Sequence, residues 1–371
     1  MGNVPEIGRQ ILDAAGITLG GDGPLDITIH DDRFWDRVLS DRELGLGESY
    51  QDGWWDANQL DEFLTALQVS DIRALVKPNL ALASRALTAR LHNRQTRSLA
   101  KRNAESHYNI GNDLYERMLD KRMIYTCGYW SEANDLDSAQ EAKLDLVCQK
   151  LDLERGMRLL DIGCGWGGFA QFAAERYDVH VTGITPAAAQ VAVARERTAS
   201  LPVRIEQLDY REIDGSFDRI TSIGMMEHVG PKNLPTFFDT CRELLEPDGL
   251  MLHHTIGSND WLTVGDPWFD RYIFPGGVLP SLGQISRAAE EHWSIEDVHN
   301  FGPDYDRTLM AWHDNISARW NEIAHYDERF RRTWDYYLLG SAAGFRSRSV
   351  QLFQIVFSQS RRKRPAYRSP R

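Results

Sequence analysis

Apolar positions beyond about residue 104 fall into two alternating textures. MRLLDIG, VHVTGIT, VRIEQLDY, FDRITSIGMM and GLMLHHTIG are short, nearly solid apolar runs, as strands buried on both faces require. Between them, GGFAQFAAERY, PAAAQVAVARERTA and NLPTFFDTCRELL carry apolar residues at helical spacing. The alternation predicts an α/β fold, a mostly parallel sheet with helices on both faces. SAQEAKLDLVCQKLDL precedes it as a helix, for which Ser138 and Glu141 suggest a capping box. Helices over 305–324 and 326–344 and an apolar strand, SVQLFQIVF, are expected after it.

The flanks read differently. Within residues 1–70, PLDITIH and LGESYQDGWWD suggest short strands and turns, and LDEFLTAL a helix. Residues 71–102 hold eight Lys or Arg against one Asp, with Leu80, Ala83, Leu87 and Leu91 at helical spacing. Two readings fit this amphipathic pattern: an inter-domain helix with a solvated basic face, or a surface that meets anionic lipid. Residues 258–283, rich in aromatics, Gly and Pro, interrupt the rhythm where a strand ends, as a lid or pocket wall does. The tail RRKRPAYRSPR has six cations and no acid and reads as disordered.

Composition narrows the function. The chain has 371 residues and a net charge of −12, which argues against nucleic acid as partner. No apolar run reaches the ~18–20 residues of a membrane span, and no signal-peptide pattern opens the chain, so a cytoplasmic location is the expectation. Cys127, Cys148, Cys164 and Cys241 are too scattered for a zinc site or a disulfide framework, and no metal site is expected.

LLDIGCGWGG, residues 159–168, is a strand entering a Gly-rich turn at a helix start. Such a turn admits a ligand against backbone N–H groups. Gly163, Gly165 and Gly168 fit a dinucleotide pattern, but an NAD site expects an acid about 20 residues on, where VTGIT offers Thr185. Asp161 with Gly163, Gly165 and Gly167 suits an S-adenosylmethionine turn instead, with Asp209 available for adenine.

HYNIGNDLYERMLD, MIYTCGYW, LDIGCGWGG, GITPAAAQ, QLDYRE, IGMMEHVGPKN, HHTIGSN, DPWFDRYIFPGG and HNFGPDYDRTLMAW occur in that order from about residue 105 to 359. Together they resemble the cyclopropane-fatty-acyl-phospholipid synthases, in the longer bacterial form with an N-terminal domain. The resemblance implies a Rossmann-like class I methyltransferase sheet plus a small N-terminal α+β domain. It divides the chain into a lipid-interaction domain (1–85), a basic helical linker (86–104), a catalytic domain (105–360) and the tail (361–371). It implies transfer of the S-adenosylmethionine methyl carbon to a cis double bond of a phospholipid acyl chain, closing a cyclopropane ring with bound bicarbonate as base. It further implies a homodimer that contacts the inner face of the cell membrane peripherally.

Carried over position by position, the bicarbonate holders are Cys127, Glu227, His254, the Ile256 backbone and Tyr305. Tyr108, Tyr125, Thr126, Gly163, Gly165, Thr185, Gln190, Asp209 and Tyr210 surround the cofactor. Tyr129, Trp268, Tyr272 and Phe274 are candidate acyl-channel walls. Each also has a plainer reading: Glu227 as a helix cap, His254 as one of a structural histidine pair with His253, Tyr305 and the aromatics as core. Ser341 stands where some relatives have a cysteine, which removes covalent catalysis from that position. The rivals are a sister methyltransferase that leaves a branched chain and a non-catalytic lipid-binding relative.

Overall fold

In the computed structural model, residues 4–70, 93–97, 99, 102, 111–361 and 366–370 are described. Most of the basic segment 71–102, and Tyr108, lie outside them. Strands β1 (Ile27–Ile29) and β2 (Trp55–Ala57) pair antiparallel near the N-terminus. The apolar runs then form β3 (Arg158–Ile162), β4 (His180–Ile184), β5 (Val203–Glu206), β6 (Phe217–Ile223), β7 (Leu245–Ser258), β8 (Trp293–Asn300) and β9 (Val350–Gln359). They make one seven-stranded sheet in the order β5-β4-β3-β6-β7-β9-β8. Pairing is parallel from β5 through β7, and β9 runs antiparallel between β7 and β8. The chain order reverses between β3 and β6, and the crevice at the carboxyl ends of such strands is where open α/β sheets bind ligands.

Two expectations about local structure are corrected. LGESYQ lies in a helix, Glu43–Gln51. Its glycines lowered the helical signal, yet they are there for close approach: a Cβ on Gly47 would run into the Trp268 ring, and one on Gly45 into the Arg37 carbonyl. The helix Leu136–Lys150 starts earlier than the Ser138–Glu141 box implied. Asp135 is its N-cap, accepting from Ser138 N at 2.8 Å, while Ser138 Oγ reaches back to Asp135 N. Glu141 pairs with Arg122 at 3.1 Å instead. The expected pair of late helices runs Pro303–Ser317 and Glu328–Arg346, with a 3₁₀ turn at Trp320–Ile323 between them.

The N-terminal region shares its core with the late helices. Leu12, Trp35, Trp55 and Phe63 join Trp268, Trp334 and Tyr336 in one buried cluster. Buried Gln51 bridges two elements, donating to Thr333 Oγ1 at 2.7 Å and accepting from Trp268 Nε1 at 3.2 Å. Arg346 closes the joint, holding Asp306 bidentately at 3.0 Å and Asp61 and Glu62 at 2.7 Å each. Removing a partly buried cation leaves three acids facing one another. Arg346→Met is therefore expected to lower stability by roughly 2 kcal/mol, read as a lower urea midpoint. An unchanged midpoint would mean the joint rests on apolar packing alone.

Tyr367 lies in the tail for which the sequence predicts disorder, yet its ring packs against a cluster containing Leu159 and Val356. Its aromatic ring is the one large apolar side chain in that basic stretch, and burying it orders the chain locally. No described helix is long and apolar enough to cross a membrane.

Candidate active site

At the carboxyl end of β3 the backbone takes positive φ at Gly163 (86°) and Gly165 (54°), and a Cβ on Gly163 would sit 3.0 Å from Met225 Cγ. A non-glycine residue there meets both backbone strain and a neighbour. The cleft above the turn is lined by Gly163, Gly165, Thr185, Gln190, Asp209 and Tyr210, with Gln95, Met225, His228 and Phe274 completing the wall. Thr185 Oγ1 donates to Gln190 Oε1 at 2.8 Å, which leaves the Gln190 amide N–H groups to donate elsewhere. Asp209 accepts from Arg211 Nε at 2.6 Å and Nη2 at 2.7 Å, so its carboxylate is already oriented when a ligand arrives. The same guanidinium lies 5.0 Å over the Tyr210 ring. Six of the expected cofactor residues thus share one cleft. Asp161, beneath the turn, is fully buried, and burial pushes its carboxyl up to about 7 against the pull of Lys143.

Thr126 borders the cleft, and Cys127 follows it in the chain. Thr126 touches the cleft through Gly224, whose added Cβ would meet Thr126 Cγ2 at 2.6 Å. The helix Leu136–Lys150 pins both polar atoms of Thr126: Gln140 donates to its carbonyl at 2.7 Å, Lys143 to its hydroxyl at 2.9 Å. Lys143 has no exposed surface, and burial pulls its ammonium down to about 8. Tyr125 Oη meets Tyr337 Oη at 2.7 Å, and its ring packs on Tyr115 and Trp312.

Cys127 is fully buried, its thiol directed at the Gly128 carbonyl 3.1 Å away. Burial holds that thiol well above its ordinary range, with Asp304 adding to the effect, so it stays protonated. Thr308 Oγ1 accepts from Gly128 N at 3.1 Å and Trp130 Nε1 at 2.8 Å, fixing the segment from behind. Cys127 is thus a buried, protonated thiol. Cys127→Ser is expected to keep at least about a tenth of turnover, because a nucleophile's removal costs orders of magnitude more. Complete loss of turnover with intact cofactor binding would restore the nucleophile reading.

Glu227, His254, Ile256 and Tyr305 are all buried or nearly so. Glu227 Oε1 accepts from the Ile256 backbone N–H at 2.7 Å, while Oε2 has no partner among the described residues. Burial raises the Glu227 carboxyl to about 7, partly offset by backbone N–H groups. His254 and Ile256, two apart on β7, face one side of the sheet and His253 the other. His253 lies in aromatic core against Phe237, Phe238 and Phe357. His254 Nδ1 lies 3.2 Å from Gln354 Nε2, and its Nε2 has no partner among the described residues. Burial, then the nearby charges of Lys143, Lys150 and His299, hold this imidazole well below its usual pKa, hence neutral. Tyr305 stacks on Phe345 at 4.5 Å and meets Trp312 edge-on. Two buried polar atoms, Glu227 Oε2 and His254 Nε2, are thus without a hydrogen-bond partner among the described residues.

Among the candidate channel walls, Phe274 borders the cleft and packs on Tyr337. Tyr129 packs on Phe301 and His299. Trp268 and Tyr272 serve the N-terminal joint, Tyr272 Oη donating to Glu48 at 2.7 Å. Sequence reasoning missed Gln140, Lys143 and Thr308. The signal for the first two was present, since Gln140, Lys143, Leu144 and Val147 share the apolar spacing of their helix.

The family model described as mycolic acid cyclopropane synthetase matches residues 95–355. The chain is 48% identical over 354 residues to a cyclopropane-fatty-acyl-phospholipid synthase of Escherichia coli (strain K12), covering 95% of this chain and 93% of that one. It is 38% identical over 264 residues to a probable fatty acid methyltransferase of Pseudomonas putida, covering 67% of each. The solved structure of mycolic acid cyclopropane synthase CmaA1 complexed with SAH and CTAB superposes with a TM-score of 0.66 at 32% identity, covering 70% of this chain and 98% of that one. The chain belongs to the mycolic acid cyclopropane synthetase family of S-adenosylmethionine-dependent methyltransferases.

Proposed function

We propose that this protein converts cis-unsaturated acyl chains of membrane phospholipids into cyclopropane chains. The observation that carries this reading is that the glycine-turn cleft is lined by Met225 and His228, on either side of Glu227, whose buried Oε2, like His254 Nε2, has no hydrogen-bond partner among the described residues. The near full-length similarity to the Escherichia coli synthase supports the lipid class. S-adenosylmethionine, when bound, supplies an electrophilic methyl carbon to the double bond, and bicarbonate supplies the base for the proton that carbon loses as the ring closes.

The residues present fit both groups. Gly163 and Gly165 admit the cofactor to the backbone, Gln190 offers donors toward a ribose, and Asp209 accepts from an adenine amino group. Neutral His254 donates from Nε2, and the Ile256 segment holds Glu227 in place at the anion's edge. Burial raises the Glu227 carboxyl to about 7, so near neutral pH it is protonated about half the time, and in that form it donates and does not repel a second anion. The aromatic walls at Tyr305, Phe301 and Tyr125 exclude water and stabilise positive charge developing on the acyl chain. Cys127 fills space between these groups, with its backbone facing the anion.

Access to lipid belongs to the same reading. The N-terminal region, residues 1–85, serves as the lipid-interaction domain, and the basic 86–104 linker and tail supply attraction to anionic headgroups despite the global charge. The protein works as a homodimer at the inner membrane face. The test is incubation with S-adenosylmethionine and cis-unsaturated phospholipid vesicles, followed by proton NMR of the extracted chains. Ring protons at unusually high field are expected. Branched-chain signals would assign the protein to the sister methyltransferases, and no turnover would make it a lipid-binding relative.

A further inference from the structure

Three neighbouring strands carry a polar row across an otherwise apolar sheet. His254 of β7 is the register partner of Gln354 of β9, and Gln354 is that of His299 of β8. Directly opposed residues project to the same face. Gln354 interrupts the apolar run LFQIVF and has no exposed surface. A glutamine there costs stability unless its amide is used, and its Oε1 has no partner among the described residues. Among the described residues its side-chain amide makes one hydrogen bond, joining Nε2 to His254 Nδ1 at 3.2 Å. On the far side of the row, His299 Nδ1 lies 3.2 Å from Lys150 Nζ, and Lys150 pairs with Asp297 at 3.1 Å.

A neutral imidazole has a single N–H, and the partner at one nitrogen decides which nitrogen carries it. We infer that Gln354 is a positioning residue whose amide N–H, donated to Nδ1, holds His254 as the Nε2–H tautomer. His254 then donates to an anion in the pocket and does not compete with it for the substrate proton. With the amide turned over, its carbonyl would accept from Nδ1–H, and the bare Nε2 lone pair would repel the same anion. The amide orientation therefore separates an anion holder from a base. This inference rests on the reading of His254 as part of the anion pocket. It adds what makes the histidine fit for that role.

The test begins with the unmodified protein. With ¹⁵N-labelled histidine, the spectrum at neutral pH is expected to show His254, assigned by its loss in His254→Ala, protonated at Nε2 only. An Nδ1–H tautomer or an imidazolium overturns the inference without any variant having to fold. Gln354→Met keeps volume and removes the donor. It is expected to mix the two tautomers and lower kcat roughly 10–100-fold. The KM for S-adenosylmethionine should stay within about twofold, since Gln354 is not among the residues lining the cofactor cleft. If His254→Ala is inactive while Gln354→Met keeps the wild-type rate and tautomer, the positioning role is lost and the pocket stands. If His254→Ala itself turns over at the wild-type rate, the pocket reading falls first.

Discussion

Glu227→Gln is expected to lower turnover roughly 100-fold or more while making the ligand-free protein more stable above neutral pH. The two effects have one origin. Glu227 is 7% exposed, and burial raises its carboxyl from 4.5 to about 7. A folded state that holds a proton more tightly than the unfolded chain is stabilised while both are protonated. That stability is lost as pH rises from about 4.5 through about 7. At ~1.4 kcal/mol per pKa unit, the loss is on the order of 3 kcal/mol. Glutamine does not ionise and keeps the hydrogen bond from Ile256 N, so the variant avoids the loss. Thermal unfolding from pH 5 to pH 8 should therefore show the variant's advantage growing with pH. Asp161, raised similarly, remains in both proteins, so some pH dependence persists. Cofactor affinity should not change, because Glu227 is not among the residues lining the glycine-turn cleft. A variant with wild-type turnover would take Glu227 out of the chemistry.

Gly163→Val should do the reverse, leaving the fold in place and abolishing cofactor binding. A β-branched residue at φ +86° is strained, and its side chain would press on Met225 and project into the cleft. A loss of affinity of at least about 100-fold, or ~2.7 kcal/mol, is expected in calorimetric titration with S-adenosylhomocysteine. The far-ultraviolet circular dichroism should match the wild type. Unchanged affinity in a folded variant would mean the cofactor does not approach the backbone at this turn. Together the two substitutions separate the role of the cleft from that of the Glu227 carboxyl.

Much of this was legible in the residues. The apolar runs in MRLLDIG and FDRITSI identify themselves as strands because parallel strands are buried on both faces. The glycine turn is legible because few ligands other than nucleotides require that backbone. β8 was not legible: WSIEDVHN is an edge strand with Ile295 and Val298 exposed, so its apolar pattern is weak. The glycine-bearing helix Glu43–Gln51 was hidden because close packing against Trp268, a residue more than 200 positions away, overrides local propensity. The same long-range dependence hid Gln354 and Thr308, whose roles exist only once the strands and helices meet. His253 and His254 are indistinguishable in composition. Only the alternation of β7 sends one into the aromatic core and the other toward Gln354.

Cyclopropane and branched products differ in which carbon loses the proton. Turnover of a phospholipid with a defined cis double bond, using S-adenosylmethionine deuterated in its methyl group, counts this directly by mass spectrometry and NMR of the chain. Ring closure removes one deuteron from the methyl carbon, so a product keeping two of the three, in a cyclopropane ring, is the predicted result. A product that keeps all three deuterons on a methyl branch would contradict it, because the proton would then have left the acyl chain.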